Sequence, residues 1–161
     1  MTQSDAERFW SHVVKGPAAE DCWIWTGAIG DDGYGRFWTK AGDGQKVIRP
    51  QRFAYQLATG RELTASVLLL HSCDVPICVH AVRDPAESHL VEGTHRTNML
   101  DRAQKNRHAN RWSAWRFDGL AREARVQRSR DLRNVVRVHG WDAERMSAAL
   151  AGIEETHPRL F

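Results

Sequence analysis

Long hydrophobic runs are missing from this chain of 161 residues. Its strongest apolar stretch, Val67 to Leu70, is strand-sized, far short of the roughly 20 residues that cross a bilayer as a helix. This excludes a membrane-spanning class of protein. The first residues, MTQSDAERFW, also lack the basic segment followed by an apolar one that marks a secretory signal. The expected location is therefore the cytoplasm or the nucleoid, with no membrane partner. Internal repeats and low-complexity segments are absent. Cysteine is scarce: Cys22, Cys73 and Cys78 are the only three. An odd number in a reducing compartment argues against disulfides and leaves buried thiols or metal ligands.

Neither sign of charge dominates, since the net charge is only +3, but the distribution is uneven. Residues 1–95 carry 9 Lys/Arg against 12 Asp/Glu, residues 96–137 carry 12 against 4, and residues 138–161 carry 2 against 4. A local excess of +8 fits a polyanion partner, the alternative being a solvated helix with arginine-rich faces. Hydrophobic residues make up 42% of the chain, enough for a core. The length suits one domain, or a compact core with an appendage.

Ser4 can cap a helix running to about residue 15, with Phe9, Trp10, Val13 and Val14 on its apolar face. CWIWTGAI and YGRFWTK, separated by GDDG, read as a hairpin over residues 22–40. Pro50 opens a short helix that closes at Gly60. LTASVLLL is a strand with His71 at its end, residues 73–88 form an irregular loop, and HLVE is a second strand. Thr94 then caps a helix over about residues 95–108. The tail reads as two helices broken at Gly140, the second capped by Asp142.

The chemistry concentrates around residues 71–98. Cys73 and Cys78, in C-x4-C spacing, can turn around one ion, and Cys22 can add a third thiolate. A histidine completes a closed structural set, and both His80 and His89 are candidates. His71, fixed at a strand end, can take a proton from water beside a divalent ion. Asn98 lies one turn into the following helix, and its amide oxygen is a hard ligand suited to Mg²⁺.

In order, the chain carries Cys22-Trp-Ile-Trp25-Thr-Gly27, Gly33-Tyr-Gly-Arg-Phe37, Gln51-Arg-Phe-Ala-Tyr55, His71-Ser-Cys73 with Cys78, His89-Leu90 and Thr94-His-Arg-Thr-Asn98. This series resembles the HNH endonucleases of the ββα-metal (His-Me finger) class. It is most similar to the subgroup of His-Cys box homing endonucleases and small phage and bacterial relatives. The resemblance runs over residues 9–107. It implies an α+β fold with a zinc-strapped ββα-metal core, an N-terminal helix and hairpin, and a helical C-terminal extension. The nuclease domain would span residues 1–110 and the extension, for DNA binding or dimerisation, residues 111–161. It implies His71 as general base and Asn98 as ligand of a catalytic Mg²⁺, which Mn²⁺ can replace. Cys22, Cys73, Cys78 and His89 would hold one structural Zn²⁺. An arginine among Arg36, Arg49 and Arg52 would steady the cleaved phosphate.

Three departures from the family pattern stand out. The link from Val79 to Ser88 is longer than the usual Asn-Pro connection, with Asp84-Pro85 its nearest echo and His80 inside it. Gln51 stands where relatives have histidine, and no cysteine after Cys78 could build a second cluster. His95, on the same helix face as Asn98, is a competing ligand. The function implied is metal-dependent hydrolysis of double-stranded DNA, site-specific in the homing or restriction manner, by a homodimer cutting both strands. A non-specific or nicking nuclease is the alternative, and a non-catalytic zinc DNA-binding regulator the rival of another class. Arg36, Lys40 and Lys46 on the hairpin would face DNA, as would Arg102, Lys105 and Arg107 within a basic stretch reaching Arg133.

Overall fold

The computed structural model describes residues 4–41, 43–104 and 111–152, with side chains described over 4–40, 43–100 and 122–152. Ser4 caps helix α1 (Asp5–Trp10) through a full capping box, its hydroxyl accepting from the Glu7 amide while Glu7 reaches back to the Ser4 amide. The helix is shorter than the expected run to residue 15. Ser11 ends it, and the β-branched pair Val13-Val14 enters strand β1 (Val13–Lys15). Strand β1 pairs antiparallel with β2 (Trp23–Trp25), Val14 facing Ile24.

The hairpin expected over residues 22–40 is corrected. Within it only Ile29 and Gly35 bridge each other. The regular ribbon is instead β3 (Phe37–Ala41) paired antiparallel with β4 (Gly44–Ile48), Ala41 facing Gly44. In this register Trp38 lies opposite Val47 and Lys40 opposite Gln45, whereas Lys46 lies opposite Thr39. Directly opposed residues share a face, so Lys40 and Lys46 project from opposite faces of the ribbon.

Helix α2 (Pro50–Thr59) begins with proline in its first turn and ends at Gly60 in the left-handed region, as its sequence suggests. After it, β5 (Leu68–His71) pairs antiparallel with β6 (Leu90–Gly93), His71 facing Leu90. Residues 64–67 form a turn rather than the first half of β5, closed by a hydrogen bond from the Val67 amide to the Thr64 carbonyl. Helix α3 (His95–Gln104) follows β6, with the Thr97 amide donating to the Thr94 hydroxyl. Strand, strand and helix thus follow one another in the order that the motif series implied. Helices α4 (Arg111–His139) and α5 (Ala143–Ala151) form an antiparallel pair broken at Gly140, with Asp142 capping α5. No helix among the described residues is long and apolar enough to cross a membrane.

One buried cluster joins these parts. Phe9 stacks on Trp25 and meets Phe37 and Phe53 at centroid distances of 5.0–5.5 Å. Ile24, Ile77, Cys78, Val79 and Leu90 continue the cluster, and Leu132, Val136, Met146 and Ala149 from the helical pair complete it. Gly33 lets α4 come this close. Its φ is +80°, and a Cβ there would meet the Val126 backbone at 3.3 Å. Because Leu132 is fully buried in the shared core, Leu132→Ala should cost about 2–5 kcal/mol and lower the stability of the whole molecule. Urea unfolding followed by tryptophan fluorescence and by helical circular dichroism should show one coincident, earlier transition. Two separate transitions would mean that the helical pair does not share the core's cooperativity.

Candidate metal centre

Three separate segments build the site, and backbone pairing sets their spacing. The Trp25 amide donates to the Ile77 carbonyl at 2.9 Å, and the Val79 amide to the Trp23 carbonyl at 2.7 Å. Ile24 therefore faces Cys78, and Cys22, just before β2, lands beside it. Cys73 follows β5 in a tight turn, with Asp74 at φ 60° and the Cys78 amide closing back on the Val75 carbonyl at 3.0 Å. His89 precedes β6, and its carbonyl accepts from the Ser72 amide at 3.0 Å. The long link from Val79 to Ser88 includes a compact turn. Asp84 binds the Ala86 amide through its side chain and the Glu87 and Ser88 amides through its carbonyl. It returns the chain so that His89 still reaches the thiols.

The ligand atoms of Cys22, Cys73, Cys78 and His89 all lie within 4.8 Å of one another. His89 Nδ1 is 3.5 Å from both the Cys22 and the Cys78 sulfur. A tetrahedral zinc with Zn–S of about 2.3 Å and Zn–N of about 2.0 Å spaces sulfur and nitrogen by about 3.5 Å. The donor set and its spacing therefore suit one metal ion such as zinc, as the sequence reading expected. Electrostatics agree. Hydrogen bonding with Cys73 pushes the Cys22 thiol up to about 12. Burial raises the Cys78 thiol. Cys73 is lowered, first by Cys22 and Cys78, with His71 and the Val75 amide adding to the effect. Without a cation, three crowded thiols favour a single thiolate, and a cation among them removes that penalty.

The structure separates the two histidines that spacing left open. His80 is buried, and its Nδ1 lies 2.7 Å from the Asp21 carbonyl. A carbonyl only accepts, so Nδ1 carries the proton and donates. The ring stacks on Trp23 at 4.4 Å and 8°, and its centroid is 4.4 Å from that of His89. Burial lowers its basicity. Its own amide donates to the Cys78 sulfur at 3.4 Å. His80 thus supports the cluster from outside, while His89 belongs to it. Composition gave no signal of this role.

His71 and Asn98 lie on two elements that touch, β5 and α3. His71 ends β5, its two ring nitrogens have almost no solvent exposure, and its ring is 6.5 Å from that of Tyr34. Asn98 is half-buried on α3, and its amide closes the first turn on the Thr94 carbonyl at 2.9 Å. His95 opens α3 and is exposed. Among the described residues, the Cys3His set is the one group of three or more His, Cys, Asp or Glu placed to share an ion.

The three candidate arginines have different surroundings. Arg52 spends its guanidinium on the Leu63, Thr64 and Val67 carbonyls at 3.1, 2.7 and 2.7 Å, clamping the approach to β5. Arg36 binds Asp32 at 3.0 Å and the Tyr34 and Gly35 carbonyls. Arg49 shares Asp32 at 3.1 Å and lies over the Tyr34 ring at 4.5 Å. Together the two arginines and the Tyr34 amide hold Asp32 below its usual value despite partial burial. Lys40 and Lys46 are exposed. Arg102 lies in α3 but its side chain falls outside the described residues, as do Lys105 and Arg107 altogether.

Similar chains occur in a bacteriophage. Protein 7.7 of Escherichia phage T7 is 33% identical over 90 residues, covering 56% of this chain and 61% of the phage protein. Protein 2.8 of the same phage is 33% identical over 86 residues, covering 53% of this chain and 52% of its own length. The chain thus spans between about half and three fifths of these curated relatives. No family model matches it, and no solved structure matches.

The two histidines can be told apart by metal uptake. Titration of apo protein with Co²⁺ should saturate at about one ion per chain with a thiolate charge-transfer band, as expected of a sulfur-rich tetrahedral site. His89→Ala should weaken uptake at least about tenfold, and His80→Ala should keep the stoichiometry with a modest loss of affinity. Loss of the band in His80→Ala but not in His89→Ala would reverse the assignment.

Proposed function

We propose that the chain is a metal-dependent DNA endonuclease of the HNH type, with a structural zinc in the Cys3His cluster. The observation that carries this reading is the succession β5, β6, α3. It sets His71 at the end of β5 and Asn98 in the helix that follows β6, with Cys73, Cys78 and His89 in the connection between the two strands and Cys22 reaching them from just before β2. A closed Cys3His set leaves no open position for a substrate, so zinc serves the shape of the hairpin.

In this reading His71 takes the proton from the water that attacks phosphorus. Its place at a strand end holds the ring where a flexible loop could not. Asn98 presents a neutral oxygen suited to Mg²⁺, which prefers few protein ligands and fills its shell with water and phosphate; when bound, it would stabilise charge on the leaving 3′ oxygen. Arg49, exposed and stacked on the Tyr34 ring near His71, is better suited to a phosphate oxygen than Arg52, whose donors face carbonyls. One active site per chain means that double-strand cleavage needs two copies about a two-fold axis, whereas a lone copy nicks.

A second reading has one observation in its favour. His71 helps lower Cys73, and its ring nitrogens are screened from solvent, which suits a non-catalytic zinc module that only binds DNA. Digestion of supercoiled plasmid with Mg²⁺ and sequencing of the ends decides between them. His71→Ala should slow cleavage by about 10²-fold or more while DNA affinity and zinc content hold. Asn98→Ala should remove activity, and Asn98→Asp should keep part of it. Wild-type cleavage by His71→Ala would end the catalytic assignment, and inactivity of His95→Ala beside a normal Asn98→Ala would move the metal ligand to His95.

A further inference from the structure

We infer that a basic track from Arg49, past the Asp31-Asp32 turn and along one edge of α4 to Arg137, is the path of one backbone strand of duplex DNA. The inference rests on the DNA reading above and gives it a direction across the molecule.

The helix is fixed in rotation because Val126, Ser129, Leu132 and Val136 are all buried. At about 100° per residue, Arg122, Arg130, Arg133 and Arg137 then fall within an arc of about 80° along one edge of that buried stripe. From Arg122 to Arg137 this edge is about 22 Å long, and one DNA strand presents a phosphate every 3.4 Å or so of axis. Arg125 and Arg128 leave the helix elsewhere, and Arg128 lies toward Gly152 at the end of α5.

The turn at Asp31-Asp32 joins this edge to the His71 locality. Arg122 donates to the Asp31 carbonyl at 3.2 Å, and Arg130 lies 3.8 Å from the Asp31 carboxylate, which is 95% exposed and so screened by water. Asp32 is shared between Arg36 and Arg49. Three guanidinium groups thus converge on two carboxylates, and a fourth, that of Arg122, on the Asp31 carbonyl. Farther along, no carboxylate of a described residue pairs with Arg133 or Arg137. Arg133 is less basic than usual, first because it is partly buried and then because Arg137 and Arg130 stand near it. Like charges held three and four residues apart on a rigid helix cost stability unless an anion lies across them. At the other end, Arg49 covers Tyr34, whose ring neighbours His71. A phosphate chain lying on the track therefore passes the proposed base.

The test compares two pairs of substitutions, centred about 130° apart around α4, in the full chain. Binding of a labelled DNA duplex by the zinc-loaded protein is measured with no added Mg²⁺ or Mn²⁺ and no chelator, over a series of salt concentrations, so that cleavage plays no part. R133Q/R137Q should weaken binding about tenfold or more and lower the salt slope by about 2, from roughly 0.9 per lost phosphate contact. R125Q/R128Q should leave the slope near that of the unmodified protein. An unchanged slope in R133Q/R137Q, or an equal loss in both pairs, overturns the track. So does binding of duplex RNA as tight as that of DNA. If the unmodified protein binds the duplex as expected yet cuts nothing with Mg²⁺, the hydrolase reading falls and the track stands. If it binds no duplex at all, both fall.

Discussion

The short antiparallel contact between β2 and residues 77–79 is the constraint on which the centre of this molecule depends. Two backbone hydrogen bonds, from Trp25 to Ile77 and from Val79 to Trp23, fix Ile24 opposite Cys78. Strand side chains alternate, so this register has two consequences at once. It buries Ile24, Ile77 and Val79 in the common core. It also brings Cys22 to the thiols from the far side of the chain. A slip of one residue would turn the apolar set outward and scatter the ligands together, which couples the core to the metal centre more tightly than either motif alone suggests.

The β5–β6 hairpin is placed by that centre. His89 sits one residue before β6 and Cys73 two residues after the last residue of β5, so an ion among the four donors pins the connected end of the hairpin, where His71 lies. Arg52 pins the approach to β5 from the other direction by holding three carbonyls of residues 63–67. His71 is thereby restrained on both sides, by the connection that carries the donors and by the turn that Arg52 holds. Between these anchors Tyr55 donates to Glu92, which also pairs with Arg61, so even the exposed edge of β6 is tied back to α2 and its exit.

Much of this was legible in the sequence, and the exceptions have physical causes. Caps and breakers were informative: Ser4, Pro50, Gly60, Thr94, Gly140 and Asp142 act where their chemistry says they should. Long-range strand pairing was not. Trp23–Trp25 looked like half of a local hairpin because its apolar alternation is real, but its partners are Val13–Lys15 and residues 77–79. Alternation reports which face is buried, not which strand lies alongside. The three cysteines and one histidine were visible from spacing and order. The choice of His89 over His80 was not, because it turns on a hydrogen bond to the Asp21 carbonyl, fifty-nine positions away. The differing surroundings of Arg36, Arg49 and Arg52 likewise come from which carbonyls lie nearby, which no local pattern encodes.

The donors of the cluster are far apart along the chain: Cys22 and His89 are 67 positions apart, and Cys78 and His89 only 11. Any ion that joins them acts as a reversible cross-link closing one large loop, from Cys22 to Cys73, and two small ones, from Cys73 to Cys78 and from Cys78 to His89. Loop-closure entropy grows with the logarithm of length, so the large loop costs the unfolded chain only about 1.4 kcal/mol more than the loop from Cys78 to His89. Length therefore adds little to the entropy of tying the N-terminal segment to the rest. In kinetic terms, the order in which the four ligands are captured decides the search. If Cys73, Cys78 and His89 bind first, the remaining task is a single encounter between a preformed loop and one distant thiol, that of Cys22.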